Sequence, residues 1–517
     1  MKKGNYIRSQ TARSLGVDVL GGIKKMTALE TYVSDKERNE NVKKVRKKID
    51  ELGVEYIYYQ FISVTGRIVG KGYPADHWET VAQKGFQLVY GSTANLFTNR
   101  NGDYIGYGPE AHELVGIPDP ETFIQLPWDK RIARVFCTCF RNREEDEDPG
   151  GFLTSDCRGN LKRQHKEFKE KHGLELRAGT EPEMMWLTKN EDGTPTGSGF
   201  SKPYCYHIDQ FESLRPVYMK VIEYSRLMGL DIIQGDHEDA PGQLELNFNY
   251  DDVLRNADRL STYRQICAQV AREFNLIACF LSKPFVGVSA SGCHTNISLW
   301  RDGEDQLIPC GNDVKALPGM EQIYHHRRGG ENVFMPDTDD RKIPGKIGLN
   351  AIGGVMEHLP ALTALGSSTV NSYRRLWDAG FWAPVYADWG YQNRTCGLRV
   401  SAPGRFEYRS VDSAHNPYLM GSGLLAAFGH GIEEKMDPGK PEQQNMYEAN
   451  AGKEKLPMTL GEALDKLDKD KLIQDSMPGD MLRVFTEYKR DEWEEFLATP
   501  TQWDLDKYLD CFVILAP

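Results

Sequence analysis

Gly179-Thr180-Glu181-Pro182-Glu183 sets two glutamates one residue apart on an extended segment. Alternate side chains of a strand share a face, so Glu181 and Glu183 point the same way. Two carboxylates held that close repel unless a cation or a proton lies between them. Later in the chain Glu238, Glu245, His294 and Glu407 add more oxygen and one imidazole, with no thiolate among the donors. That donor set suits magnesium or manganese better than zinc.

Working outward, the 517-residue chain is long enough for two or three domains and carries a net charge of -12. The acidic balance gives no electrostatic reason to expect a nucleic-acid partner. Ten scattered cysteines without a C-x-x-C pair read as reduced thiols of a cytoplasmic protein. The start, Met1-Lys2-Lys3-Gly4-Asn5-Tyr6, is charged but has no apolar stretch behind it, and no apolar run reaches a membrane-spanning length of about 18 residues. No nucleic-acid partner and no membrane are therefore expected.

Residues 1–40 form a polar N-terminal extension, and 41–145 a small β-rich domain that opens with the basic helix around Lys43 to Lys48. Val54 to Gly72 alternates and reads as a hairpin turning at Thr65-Gly66. The acidic run Glu144 to Gly151 reads as a linker, and 146–517 as the long domain. There Ser155 or Asp156 caps a helix to about Lys171, stopped by Gly173, and a second helix covers about Ala257 to Phe274. Arg394 to Arg409 reads as two strands around Pro403-Gly404.

In Arg405-Phe406-Glu407-Tyr408-Arg409 the charged residues share one strand face, with Arg394 and Arg399 nearby. Alone, this is an ion-pair ladder. Together with a metal-type glutamate, four arginines suit phosphoryl oxygens bridged by a divalent ion. Gly292-Cys293-His294-Thr295-Asn296 and Glu238-Asp239-Ala240-Pro241-Gly242-Gln243-Leu244-Glu245 carry the other candidate donors.

From about residue 54 onward these segments, in this order, resemble the glutamine synthetase family. Asn371-Ser372-Tyr373-Arg374-Arg375-Leu376 and Asn416-Pro417-Tyr418 extend the resemblance. It implies an α+β fold: an N-terminal β-grasp domain and a C-terminal catalytic domain of curved antiparallel strands flanked by helices. It also implies one metal on Glu183, Glu238 and Glu245 and another on Glu181, His294 and Glu407, either Mg2+ or Mn2+. Arg375 and Arg399 would hold L-glutamate, Arg394 and Arg409 the transferred phosphoryl group, and Arg405, Asn296 and Ser298 the ATP. Ser289 and Ala290 stand where the family's glutamate loop has asparagine and glycine. The implied assembly is a homo-oligomer of stacked rings, such as a dodecamer, whose active sites span adjacent subunits. The implied chemistry is attack of the glutamate γ-carboxylate on ATP, giving γ-glutamyl phosphate that an amine then opens.

Two departures point to the amine. Where the family reads Asp-Gly-Ser-Ser this chain has Tyr90-Gly91-Ser92-Thr93, and where the family has a glutamate shortly before Ala-Pro it has Phe381-Trp382-Ala383-Pro384. A cationic acceptor loses both of its carboxylates, whereas an arylamine is neutral near pH 7 and stacks on Tyr90, Phe381 and Trp382. The expected activity is that of a γ-glutamylanilide synthetase acting on an aromatic amine such as aniline. The alternatives are an ammonia-dependent glutamine synthetase, a hydroxylamino-aromatic mutase and a non-enzymatic protein on the same fold. Tyr447 matches the family's adenylylation position only loosely, and that control is not expected.

Overall fold

The computed structural model describes residues 25–197, 205–301, 306–309, 324–327, 329–377, 382–448 and 453–512. The α+β expectation holds: a small mixed sheet precedes a long, mainly antiparallel one.

The small sheet is built from β1 (Tyr56–Ile62), β2 (Ile68–Pro74), β3 (Phe86–Val89), β4 (Glu113–Pro118) and β5 (Ile132–Phe140), in the order β2-β1-β5-β4-β3. β1 and β2 form the expected hairpin, and β1 runs parallel to β5. Helix α1 (Lys36–Leu52) buries Val42, Val45 and Ile49 and leaves its lysines in solvent, so the basic stretch is a solvated helix face. The helix starts at Lys36, where Asp35 caps it by accepting from the Arg38 amide, and Arg38 already reaches the carbonyls of Ala82 and Pro118.

Helix α2 (Cys157–His172) begins at Asp156, whose carboxylate accepts from the Gly159 amide and also from Cys139 of β5. It ends at Gly173, whose φ of 63° is the left-handed turn that glycine adopts without strain. One long strand follows, β6 (Leu174–Lys189). The sheet continues through β7 (Ile232–His237), β8 (Gln243–Phe248), β9 (Cys293–Arg301), β10 (Trp389–Tyr391), β11 (Leu398–Ala402) and β12 (Arg405–Tyr408), in the order β10-β11-β12-β9-β6-β8-β7. The second expected helix, α3 (Val253–Glu273), starts one turn earlier than the apolar stripe suggested, because Asp252 caps it by accepting from the Arg255 amide.

Against this sheet pack α4 (Lys346–Gly366), α5 (Val370–Trp377) and α6 (Pro417–Glu433). α4 and α6 approach so closely that a side chain at Gly431 would collide with the Asn350 carbonyl. Asn416, the cap of α6, donates to the carbonyls of Ser63 and Val64, which ties the first hairpin to the layer around the long sheet. Beside it, Arg158 of α2 grips Asp258 with two bonds of 2.8–2.9 Å and reaches Asp119 of the small domain at 3.2 Å. Lys162 adds a bond of 2.7 Å to Asp119, and Tyr418 one of 2.8 Å to Asp258.

Candidate active site

Register assembles the site. Glu183 of β6 lies opposite Glu245 of β8, and Glu245 lies opposite Asp236 of β7. On the other side of β6, Glu181 faces His294 of β9, Asn296 faces Glu407 of β12, and Glu407 faces Arg399 of β11. Segments more than two hundred residues apart thus form one row of polar side chains across the sheet.

Among the described residues, three groups of donor atoms come within 4.8 Å of one another: Glu181, His294 and Glu407; Glu183, Glu245 and His294; and Asp236, Glu238 and Glu245. Glu238 therefore groups with Asp236 and Glu245, while Glu183 and Glu245 share His294. Asp236 escaped the sequence reading, although its position two residues before Glu238 on the same strand face was a usable signal. Its Oδ1 is buried without a hydrogen-bond partner.

Burial, together with the charge on Glu407, pushes Glu181 up to about 7. Burial, with Glu183 and Asp236 behind it, pushes Glu238 up to about 9, and burial also raises Glu183 and Glu245. Crowded acids in such a position are relieved by a cation. His294 is held neutral by burial and by the arginines around it, as a ligating imidazole must be. Carboxylates with one neutral imidazole fit a hard divalent cation, so this donor set accepts magnesium or manganese.

Glu407 behaves differently. Burial alone would raise it, but Arg409 and Arg399 hold it below the usual carboxylate range. Arg399 binds one oxygen at 2.5 Å and Arg409 the other. Arg375 is buried, with one guanidinium nitrogen 3.3 Å from His294 Nε2 and both on the Arg409 carbonyl. Arg394 is exposed, and its charge reaches Asp236, Glu238 and His294.

On one side of the row, an open cavity of about 370 Å³ takes in Glu181, Asn296, Ser298 and Arg405. Asn296 donates to Glu181 at 2.7 Å, and Ser298 accepts from the Trp300 indole at 2.8 Å. Tyr250 and Trp300 stack at 6.1 Å in the same wall, with Arg177 over the Trp300 ring at 4.5 Å. No sequence signal foretold this pair, since only the packing of β9 and of the turn before α3 against β6 joins them. Ser289 donates to Asp239 at 2.6 Å, and the Ala290 carbonyl accepts from Gln243 at 3.2 Å, so both residues brace the Glu238–Glu245 turn.

Of the three expected amine residues, Tyr90 and Trp382 have different surroundings. Tyr90 sits in the core of the small domain, edge-on to Tyr107, with its hydroxyl donating to Glu145 and accepting from the Asn142 amide. Trp382 instead belongs to the arginine cluster: its carbonyl accepts from Arg409 at 3.0 Å, and the residue is 58% exposed. Its φ of 62° is a left-handed conformation that costs a bulky residue about 1–2 kcal/mol, and such strain gathers at functional sites. Phe381 lies outside the described residues.

A family model described as the catalytic domain of glutamine synthetase matches residues 154–318 and 325–508. The glutamine synthetase of Pyrococcus furiosus is 32% identical over 480 residues, covering 88% of this chain and 96% of that protein. The glutamate–methylamine ligase of Methyloversatilis universalis is 30% identical over 482 residues, covering 90% and 98%. A solved structure described as a GmaS/ADP complex superposes with a TM-score of 0.77 at 28% identity, covering 90% of this chain and 99% of that one.

Proposed function

The chain belongs to the glutamine synthetase family, and from that premise we propose that it joins the γ-carboxylate of L-glutamate to an aromatic amine such as aniline. At the coarser level it is an ATP-dependent glutamate ligase of this family. The observation that carries the finer reading is Trp382. Its backbone is fastened to Arg409 beside Glu407, yet it presents an indole where a cationic acceptor would need an anion.

In this reading Glu183, Glu238 and Glu245 hold one divalent cation, with Asp236 beside them, and Glu181, His294 and Glu407 hold another. Bound there, the cations would neutralise phosphate oxygens during transfer. Arg375 and Arg399 orient glutamate, so that a γ-carboxylate oxygen forms a bond to the terminal phosphorus of ATP as the bond to ADP breaks. Arg394 and Arg409 offset charge on the phosphoryl oxygens. The amine nitrogen then bonds to the γ-carbonyl carbon, phosphate leaves, and one N–H proton is lost. Asn296, Ser298 and Arg405 line the cavity that takes the nucleotide, Tyr250 and Trp300 its aromatic wall. The working form is a cytoplasmic ring-shaped homo-oligomer whose active sites span adjacent subunits; Tyr90, packed in its own subunit's small-domain core with its hydroxyl on Glu145, is left out of the amine pocket.

A second reading, a small alkylamine as acceptor, is favoured by the similarity to the glutamate–methylamine ligase. ATP- and glutamate-dependent phosphate release with aniline, methylamine and ammonium, each product identified by mass, separates the readings. Aniline is expected to give the highest kcat/KM. Methylamine as the best acceptor establishes the second reading, and ammonium as the best returns the protein to glutamine synthesis.

A further inference from the structure

A second open space, apart from the nucleotide cavity, lies on the Arg394 side of the site. It measures about 550 Å³, within the range of small-molecule pockets, and is walled by Trp382, Tyr391, Arg394, Gln444, Asn445 and Tyr447. Among the described residues no carboxylate lines it. Its wall is made of aromatic faces, amide side chains and one guanidinium, a lining that repels a cation and accepts a neutral ring.

The Trp382 wall is fixed at two consecutive carbonyls. Arg409 donates to the Trp382 carbonyl at 3.0 Å, and the Tyr447 hydroxyl donates to the Ala383 carbonyl at 2.9 Å. The second bond accounts for a largely buried tyrosine hydroxyl, and both hold Trp382 in its left-handed conformation. At the inner end, Arg409 connects the cavity to the carboxylates, since it donates both to the Trp382 carbonyl and to Glu407. A ligand seated here therefore lies with one end toward the transferred phosphoryl group and its body against Trp382 and Tyr391.

We propose that this cavity is the seat of the acceptor's body: it takes an uncharged amine bearing a flat apolar substituent, and Tyr447 is the positioning residue that holds its Trp382 wall. The assignment rests on the ligase reading above but places the amine's body on this chain's own residues. Gln444 is the position to probe, because its side chain is exposed to the cavity while its carbonyl, which accepts from Asn393 at 2.9 Å, survives substitution.

The experiment measures aniline binding to the full-length protein by saturation-transfer NMR, and aniline turnover in parallel, for wild type, Gln444→Trp and Gln444→Ala. The indole fills the cavity, so Gln444→Trp is expected to weaken aniline binding and raise its KM about tenfold or more. Gln444→Ala enlarges the cavity and is expected to retain aniline and to improve use of para-substituted anilines. Aniline binding and KM unchanged in Gln444→Trp overturn the cavity assignment while leaving the ligase reading standing. Aniline bound by wild type, displaced in Gln444→Trp and never converted to an amide overturns the ligase reading and leaves the cavity assignment standing.

Discussion

Two clusters of buried charge lie on either side of this molecule's main layer, and they are built on opposite rules. At the joint between the small domain and the catalytic layer, Arg158 and Lys162 face Asp119 and Asp258, and every charged group has a partner within about 3 Å. Lys162 and Arg158 overcome the cost of burial and hold Asp119 well below the usual carboxylate range. Across the sheet, Glu181, Glu183, Glu238, Glu245 and Asp236 are crowded together and all pushed upward. The first cluster closes on itself and fixes geometry. The second is left open to ligands, and its repulsion is the price of an affinity for cations.

Breaking the closed cluster has the largest expected effect. Arg158→Met leaves Asp119 and Asp258 without their shared cation, and unfolding in urea should show a loss of about 3–5 kcal/mol. A loss under about 1 kcal/mol would mean that the joint is not held by this pair.

In the open cluster the sign reverses. With divalent ions chelated at pH 8, Glu181→Gln removes a repelled charge and should raise stability by about 1–3 kcal/mol, while abolishing most ATP-dependent turnover. Added magnesium should raise the melting temperature of the wild type more than that of Glu181→Gln. Equal shifts in a thermal melt would remove Glu181 from the cation site.

A lone acid sharpens the contrast. Asp388 accepts from the Gly397 amide at 2.8 Å, has the Cys396 thiol beside it and, among the described residues, no cation bonded to it, and burial pushes it up to about 6. Because that value lies above the ordinary 3.8, the stability it contributes is complete below pH 3.8 and is lost as pH rises through 6. Asp388→Asn should therefore gain about 1–3 kcal/mol at pH 8 and nothing at pH 3.5, as read from denaturation at the two values. A gain of the same size at both would trace the effect to something other than ionisation.

At the small end, Lys471 and Asp475 pair on an exposed helix face. Lys471→Ala should stay within about 0.5 kcal/mol of wild type in the same urea assay.

Local chemistry made much of this legible in the sequence. The Asp156 and Gly173 caps, the hairpin around Thr65-Gly66 and the paired strands around Pro403-Gly404 depend on neighbours in the chain and stand where expected. The acidic and imidazole donors were readable because repelling carboxylates in alternation are conspicuous. The resemblance also implied the Glu181, His294 and Glu407 set that the structure brings together, but not the sharing of Glu245 and His294 between donor sets or the entry of Asp236, which depend on strand register. The Tyr250–Trp300 wall and the contrast between Tyr90 and Trp382 were invisible for the same reason: burial and hydrogen-bond partners are set by packing between distant segments.

The long strand β6 makes the order of synthesis matter. It leaves the ribosome carrying Glu181 and Glu183 more than one hundred residues before its neighbour β9 is complete, and Glu407 follows another hundred residues later. Until β8 emerges the strand exposes unpaired backbone on both edges, and until β9 is complete on one, the condition in which nascent chains associate wrongly. A divalent ion cannot shorten that interval, since its full donor set exists only after residue 407 has emerged. The burden of keeping the growing chain soluble therefore falls on the acidic character of the strand itself, where the same two glutamates that later serve the site keep an unfinished sheet from pairing with its copies.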